Sequence, residues 1–579
     1  MKALRKINVR SWLAHTLVLF LIFVTATAIA ANVRAQQTAN DYVRQSLYVP
    51  VRDGTRIAVN IYLPASGGLA IRERRPVIFV FTPYRARFRN EKGEVIEEAL
   101  SDQLALRSLL HAGYVVAVAD IRGKGASFGA RRGFQDRTEA QDGYDLIEWL
   151  ARQPFATGSV GMIGCSYLGG TTFHTASTAP PSLKAVFIGA SDLDKYAFVR
   201  NGGITAQFNT RPDEPASVDL ASLPVDADPD GALLKKAVTQ HAHNTPMAPL
   251  WYGMPYRDSV SALTGNPYWE EVGVYRYLDA IRKAGIATYF WGNWQDEPTA
   301  QVILGAANLD GKFLAGPGGH CSTPENFDFT GEVTRYFDHH LKGVANGIDQ
   351  EPRATYWVRG LGGNKGGYVR SDQLPGVQSL PVPWFLSGSG DLSVGPGSEG
   401  RDAFTVDYDL PPAEYFAFWA KPMDSHGLSY TSSPLVEPIT LIGSSIARLN
   451  LMSSDPQANL FVYLDMIAPN GEAEVIAFGR LNLAHRKVSE PPYDTLGQPW
   501  HSGLSSDIQG LKPDETAHVV ITLTPVSLVV PKGARLRLTV AGADPRQRNL
   551  KAIQITPPPL ITVVRGGSTA SRIDLPFVK

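Results

Sequence analysis

A serine between small residues stands where a strand pattern gives way to a helix pattern. Ser166 lies in Gly164-Cys165-Ser166-Tyr167-Leu168-Gly169, after a short apolar segment and before a helix-like one. A sharp strand-to-helix turn would expose the hydroxyl at the positive end of the helix, as a nucleophile requires. The spacing departs from G-x-S-x-G, because Leu168 replaces the second glycine and Gly169 follows one place later. The segment predicts a nucleophile elbow, with a plain glycine–serine turn as the alternative.

A serine nucleophile needs a histidine base, and the base needs an acid to orient it. In a sheet-based hydrolase these residues follow the serine in the order acid, base, each in a loop after a strand. The apolar segment 287–291 runs into a loop that carries Asp296, and the segment 312–315 runs into a glycine-rich loop that ends at His320. We predict Asp296 as the acid and His320 as the base. Glu297 is the alternative acid.

The reaction also needs donors for the developing oxyanion. The backbone N–H of Tyr167, just after the serine, is one candidate. The other is the phenol of Tyr84, which follows the apolar segment 76–81; a packed loop tyrosine is the alternative interpretation. Three other histidines occupy positions typical of helix packing or of a helix end: His174, His339 and His340.

The elements around these residues alternate between strand and helix patterns. A hairpin pattern is followed by continuous apolar strands and amphipathic helical stretches, which predicts a parallel sheet with helices on both faces. From 194 to 284 the strand rhythm disappears, and helical pieces and aromatic residues take its place. We therefore predict an α/β-hydrolase core in two parts, 45–193 and 285–371, with an inserted helical cap at 194–284.

The chain changes character after about residue 372. Short alternating segments are separated by turns such as Pro469-Asn470-Gly471 and Pro531-Lys532-Gly533. Many short strands of this kind are typical of antiparallel sandwiches. The sequence predicts an all-β domain over 372–579, and a jelly roll is the arrangement expected.

Composition limits the function classes. The 579 residues suggest about three domains, and 55 basic residues balance 55 acidic ones, so no nucleic-acid partner is expected. The predicted chemistry needs no metal and no cofactor. The two cysteines, Cys165 and Cys321, flank the predicted catalytic serine and histidine. A disulfide and two small buried thiols are both compatible with the sequence.

The first 35 residues resemble a secretory signal. Four basic residues precede an apolar stretch at 17–31, and Val33-Arg34-Ala35 offers small residues for a signal peptidase. We expect cleavage after Ala35 and export, most simply to a bacterial periplasm, with no stable membrane insertion afterwards. An uncleaved anchor is the alternative, although the apolar stretch is short for a membrane span.

The combined motifs resemble the cocaine esterase and X-prolyl dipeptidyl-peptidase superfamily, which includes α-amino acid ester hydrolases and glutaryl acylases. The matching stretches lie in order along nearly the whole mature chain: Thr82-Pro83-Tyr84, Asp120 to Ser127, Gly164 to Gly169, Trp294-Gln295-Asp296, Gly316 to His320, Leu428 to Leu435 and Lys532 to Leu538. The resemblance implies an α/β-hydrolase core, a cap and a C-terminal jelly roll. It also implies the triad Ser166, Asp296 and His320, with Tyr84 and the Tyr167 N–H as oxyanion donors. Asp120 and Arg122 match a motif that braces the core.

Substrate specificity does not follow from the resemblance. The α-amino acid ester hydrolases hold a substrate ammonium with acids, one of them shortly before an Asn-Gly pair. Here the segment 196–203 has no acid at the matching position, and Asp194 does not align with that position. Five cap aromatics instead favour a partly apolar acyl or alcohol group: Tyr196, Phe198, Trp251, Tyr252 and Tyr256.

The sequence therefore predicts an exported serine hydrolase acting on a small ester or amide. One alternative is a peptidase that releases Xaa-Pro dipeptides, which would need acids such as Asp192, Asp194 or Glu297 for the substrate's amino terminus. Another is a carbohydrate-binding protein with an inert hydrolase core. The oligomeric state is open, and a homo-oligomer is compatible with the sequence.

Overall fold

The computed structural model describes residues 41–205, 212–363, 365–548 and 550–578. The predicted signal segment 1–35 lies outside these ranges. Within them, no helix has the length and apolar character needed to cross a bilayer.

Thirteen strands form the N-terminal part of the described chain. Their bounds are β1 Tyr42–Pro50, β2 Arg56–Ser66, β3 Leu69–Ala70, β4 Arg75–Thr82, β5 Arg87–Arg89, β6 Val95–Glu97, β7 Val115–Asp120, β8 Ala156–Cys165, β9 Leu183–Gly189, β10 Ala287–Asn293, β11 Lys312–Gly316, β12 Ala354–Arg359 and β13 Gly366–Ser371. Strands β7, β4, β8, β9, β10, β11 and β12 pair in that order and are parallel. Antiparallel strands flank them, β2 and β1 on one side and β13 on the other.

Helices cover this sheet and build the cap. Their bounds are α1 Leu106–His111, α2 Arg137–Ala151, α3 Tyr167–Ala176, α4 Lys195–Val199, α5 Ala216–Leu220, α6 Ala232–Gln240, α7 Met247–Tyr252, α8 Tyr268–Val272, α9 Leu278–Ala284, α10 Thr299–Leu309 and α11 Phe329–Lys342. Helices α2, α3 and α10 pack into one apolar core with the sheet, and α1 and α11 pack into the core on its other face. Both faces of the sheet are therefore buried, which explains the unbroken apolar runs of its central strands.

The cap has an aromatic core of its own. Trp251 stacks on Trp269 with ring centroids 5.2 Å apart, and Tyr196 and Tyr268 pack against the same pair. The cap is thus a packed unit rather than a loose insertion.

Within the described residues, the C-terminal part is all-β apart from one short α-helix and single-turn 3₁₀ helices. Its elements are β14 Leu380–Ser387, β15 Asp391–Ser393, β16 Gly400–Thr405, β17 Gly427–Thr431, β18 Ile439–Ser453, β19 Asn459–Ile467, β20 Ala473–Asn482, β21 Val488–Ser489, β22 Trp500–His501, β23 Ala517–Val530, β24 Arg535–Ala541, α12 Leu550–Ile553, β25 Leu560–Arg565 and β26 Arg572–Val578. One antiparallel set joins β14, β26, β18 and β23, and another joins β17, β24, β19 and β20. Alternate side chains from both sets meet in one apolar core.

These elements confirm the predicted α/β core with a helical insertion and a C-terminal all-β domain. The predicted jelly-roll arrangement stays a prediction. Sequence reading missed β12 and β13, which follow α11 and extend the sheet. The first α-helix of the core begins at Leu106.

Candidate active site

Ser166 occupies a sharp turn between β8 and α3. Its φ of +60° and ψ of −127° lie outside the regions that non-glycine residues normally adopt. A methyl group on Gly164 would come 2.1 Å from the Leu168 carbonyl oxygen, and one on Gly169 would come 2.1 Å from that of Gly189. The shifted glycine spacing therefore has a physical reason, because the backbone of Gly169 in α3 lies directly against that of Gly189 at the end of β9.

Asp296 and His320 meet in the loops after β10 and β11. The Nδ1 atom of His320 lies 2.9 Å from Oδ2 and 3.0 Å from Oδ1 of Asp296. Asp296 is buried, and burial raises its pKa, while the hydrogen bond from His320 acts in the opposite direction. The imidazole is more accessible, with 21% of its side chain exposed. A buried carboxylate thus orients a partly exposed imidazole whose Nε2 has no part in that hydrogen bond.

Asn293 holds the loop that carries His320. This buried residue ends β10, and its amide nitrogen donates to the carbonyl oxygens of Gly319 and Ser322, both at 2.8 Å. The two acceptors lie on either side of the histidine. No motif in the sequence assigns Asn293 a role, although its place at the end of a strand before the predicted acid is a signal that could have found it.

A disulfide joins the serine turn to the histidine loop. Cys165 and Cys321 are bonded, with their Cα atoms 5.9 Å apart. Each is the direct neighbour of a predicted catalytic residue, so the bond ties the segments of Ser166 and His320 together. Of the two states that the sequence left open, the structure contains the oxidised one.

The C-terminal domain also reaches the histidine. Phe418 stacks on the His320 ring with centroids 4.1 Å apart and an interplanar angle of 26°. Phe418 precedes β17 in a segment without a strand or helix. No sequence motif pointed to this contact, since it joins residues about a hundred positions apart.

The two predicted oxyanion residues lie near each other. The Tyr84 and Tyr167 rings are 6.4 Å apart, and Tyr84 is 45% exposed. The Tyr167 phenol donates to Glu139 Oε2 at 2.8 Å, so its hydroxyl hydrogen is already used in a hydrogen bond within the core. Its backbone N–H lies in the first turn of α3, where N–H groups have no partner within the helix. The Tyr167 backbone N–H is therefore compatible with the predicted role, and the role of the Tyr84 phenol stays a prediction.

A cavity of about 700 Å³ opens beside these tyrosines. Its apolar lining includes Phe134, Leu220, Val238, Met247 and Trp251, together with Tyr84 and Tyr167. Charged residues of both signs complete the lining: Lys124, Arg131, Lys235, Asp213, Glu214 and Asp219. Among the predicted substrate-facing aromatics Trp251 does line this cavity, whereas Tyr196 packs in the cap core and lines a different cavity.

Two family models match the chain in sequence order. The model described as X-Pro dipeptidyl-peptidase (S15 family) matches residues 53–322, and that of the X-Pro dipeptidyl-peptidase C-terminal non-catalytic domain matches 346–563. The chain belongs to the cocaine esterase and X-prolyl dipeptidyl-peptidase superfamily of serine hydrolases. The predicted enzyme class is thereby confirmed.

Relatives within this superfamily span nearly the whole chain. A Mycobacterium bovis protein whose name describes it as a serine esterase is 28% identical, over 92% of this chain and 95% of its own. The cocaine esterase of a Rhodococcus species is 24% identical, over 78% of this chain and 85% of its own. A crystal structure of a CocE/NonD family hydrolase from Staphylococcus aureus has a TM-score of 0.71 at 19% identity, covering 93% and 94% of the two chains. The last likeness confirms the α/β-hydrolase fold.

The acids considered for binding a substrate amino group are all paired with cations. The pairs are Asp192 with Lys195 at 2.7 Å, Asp194 with Arg257 at 2.9 Å, and Glu297 with Arg480 at 2.8 Å and Arg546 at 3.6 Å. Asp194 also accepts a hydrogen bond from the Tyr493 hydroxyl at 2.9 Å. Each of these three carboxylates therefore has a cationic partner, although Oδ1 of Asp192 has no hydrogen-bond partner among the described residues.

The remaining residues singled out from the sequence make contacts within the fold. Arg122 forms two hydrogen bonds with Asp142, at 2.5 and 2.7 Å, and Asp120 accepts from the backbone N–H groups of Ala86 and Ala126. The other histidines pack away from the Asp296 pair: His174 is buried in α3, His339 lies 3.1 Å from the Val344 carbonyl oxygen, and His340 packs on Tyr336.

Proposed function

We propose that this superfamily member is an exported hydrolase that cleaves a small ester or amide through Ser166, His320 and Asp296. The observation that carries the proposal is the His320–Asp296 hydrogen bond in a loop bonded by disulfide to the Ser166 turn. An acid, an imidazole and a serine hydroxyl gathered from three loops are the parts of an acyl-transfer site.

In the first step the Ser166 hydroxyl attacks the substrate carbonyl carbon and its proton passes to Nε2 of His320. Asp296 holds the proton on Nδ1, keeps the ring in the productive tautomer and stabilises the imidazolium that forms. The Phe418 ring, stacked on the imidazole, limits its rotation about the side-chain bonds.

The tetrahedral intermediate places a negative charge on the former carbonyl oxygen. The Tyr84 phenol and the Tyr167 backbone N–H would donate to it, and such donors act strongly in a site that excludes water. His320 then protonates the departing alcohol or amine, which leaves an acyl group on Ser166. A water molecule activated by His320 releases that group as a carboxylic acid.

The cavity and the paired acids support a substrate without a free amino terminus. The cavity of about 700 Å³ has aromatic and aliphatic side chains that suit an apolar acyl or alcohol group. It also has charged side chains, and its three acids, Asp213, Glu214 and Asp219, are paired with Arg131 or Lys124. A dipeptidyl-peptidase would need a carboxylate for the substrate ammonium, and Asp192, Asp194 and Glu297 are already paired. We therefore favour esterase or acylase chemistry over removal of Xaa-Pro dipeptides.

Export is supported by the disulfide and by the signal-like N-terminal segment. A structural disulfide forms and persists mainly in oxidising compartments. The proposal expects the mature protein to begin at Gln36, which N-terminal sequencing or intact mass would test after expression in a bacterial host.

Ser166→Ala tests the chemistry. We expect it to lower the turnover of p-nitrophenyl butyrate by at least about 10³-fold while the circular dichroism spectrum and melting midpoint stay those of the wild type. A fluorophosphonate probe should label wild type and not the variant. Full activity in Ser166→Ala would place the nucleophile elsewhere.

The alternatives have their own readouts. Faster turnover of Ala-Pro-p-nitroanilide than of simple esters would favour the dipeptidyl-peptidase. Failure of the wild-type protein to react with the fluorophosphonate, together with binding to an oligosaccharide array, would favour an inert carbohydrate-binding protein.

A further inference from the structure

A second cavity lies where the cap, the core and the C-terminal domain meet. Cap residues 196–203 form one wall, and Glu297 with the start of α10 forms another. Strands β20 and β23 and residues from the 485–503 segment complete the lining. The volume is about 150 Å³, roughly ten times the minimum that holds one water molecule. The space is large enough for a small polyatomic ion.

Charge in the lining is predominantly positive. Arg200 and Arg480 both line the cavity, and Glu297 is the single acid that does so among the described residues. Glu297 is shared, because Arg480 contacts one of its oxygens and Arg546 the other. Arg546 also pairs with Asp544. Three guanidinium groups thus face two carboxylates in this buried layer.

Arg200 has no carboxylate partner among the described residues. Its nitrogens donate to Thr205 Oγ1 at 2.9 Å and to the carbonyl oxygens of Gly203 and Trp251, all neutral acceptors. The nearby Asp194 is already bound by Arg257. Burial lowers the pKa of Arg200, as expected when a cation is withdrawn from water without a counter-charge.

Several polar atoms of the lining lack protein partners. Arg480 and His485 are 8% and 9% exposed, and Nε of Arg480 and Nδ1 of His485 have no hydrogen-bond partner among the described residues. The same holds for Nε of Arg200 and Oγ1 of Thr522. Guanidinium N–H groups can only donate, so the unmet need here is for an acceptor.

The positive charge also affects His485, which lines the same cavity. Burial, and after it the charge of Arg200, lower the pKa of His485 to about 4. The imidazole is therefore neutral at pH 7 and can donate one N–H without adding a further charge. Water could accept a hydrogen bond from each of these N–H groups, but it would not neutralise the excess positive charge.

We propose that this cavity binds one small oxyanion, of the phosphate, sulfate or carboxylate class, between Arg200 and Arg480. The anion would neutralise the positive charge of the arginines that Glu297 alone does not neutralise. It would also link the cap to the C-terminal domain. Since Glu297 directly follows Asp296, the site adjoins the predicted catalytic acid while lying outside the cavity beside Tyr84. The proposal is independent of the substrate of the enzyme.

Calorimetric titration with inorganic phosphate tests the site on the full mature chain. Wild type should bind one phosphate, and its melting midpoint should rise with the logarithm of phosphate concentration at constant ionic strength. Arg200→Gln should weaken binding at least tenfold, since it removes the cation that has no carboxylate. Arg276→Gln is the matched control, because Arg276 pairs with Glu270 at an exposed cap position. This variant should bind phosphate as the wild type does.

Arg480→Gln is a second variant, expected to lose binding as well, although it also releases Glu297. Sulfate and acetate titrations distinguish the oxyanion classes, and selenate-soaked crystals should show an anomalous peak between the two arginines. Absence of phosphate binding by wild type, equal affinity in Arg200→Gln and Arg276→Gln, or competition between phosphate and an ester substrate would overturn the proposal. Each binding measurement is valid whether or not the proposed hydrolysis is confirmed.

Discussion

The Cys165–Cys321 disulfide should be a major source of stability and only a minor source of catalysis. The bond closes a segment with a sequence separation of 156 residues. The loss of chain entropy in the unfolded state for a loop of that length corresponds to about 5 kcal/mol at 25 °C. Because native disulfides often contribute less than this limit, we expect the Cys165→Ala/Cys321→Ala double variant to lose about 2–5 kcal/mol of unfolding free energy.

Catalysis should depend less on the bond, since other contacts hold the same loop. Asn293 binds the carbonyl groups on both sides of His320, and Asp296 binds the imidazole itself. We therefore expect kcat for p-nitrophenyl butyrate to fall by less than about tenfold, measured at a temperature where both proteins are folded.

Urea unfolding followed by tryptophan fluorescence measures the effect, because Trp291 and Trp294 report on the core. Wild type treated with a phosphine reductant should shift toward the double variant, and the double variant itself should not respond to the reductant. An unfolding free energy within about 1 kcal/mol of the wild type, at unchanged m-value, would refute the reasoning. So would free thiols at both positions in protein purified from the periplasm.

Three further changes test the surroundings of the site. Asp296→Asn should lower kcat by about 10⁴-fold with little change in KM, because the imidazole loses its orienting charge; steady-state kinetics measure this, and a loss below tenfold would point to another acid. Asn293→Ala should lower kcat by about ten- to a hundredfold, or about 1.4–2.7 kcal/mol, since the loop carbonyl groups of Gly319 and Ser322 lose the donor that they share; an unchanged kcat would show that other contacts suffice to hold the loop. Glu139→Gln should flatten the dependence of stability on pH. Burial raises the pKa of Glu139 to about 8 from an ordinary 4.5, so the folded state favours the protonated form and wild-type stability should fall as pH rises from about 4.5 to 8. Urea midpoints at pH 5 and 8 measure it, and equal slopes in both proteins would contradict it.

Much of the fold could be predicted from the sequence, because the local hydrophobic pattern of many segments matches their burial in the folded structure. The apolar runs within β4 and β7 are unbroken because both faces of these strands are covered. Strand β13 was missed because it is partly exposed and carries polar and glycine residues. Strand β12 is mostly buried, but its apolar run is only three residues long, Tyr356-Trp357-Val358.

The amino-acid sequence by itself determined the serine turn, the order of acid and base along the chain, and the superfamily. These depend on glycines, strand ends and short motifs, which are local features. Only the tertiary structure decided how Asn293, Phe418 and the disulfide support His320, and that Asp194 and Glu297 are occupied by arginines. Each of those contacts joins distant segments or depends on the direction of one side chain, and residue spacing carries no information on either.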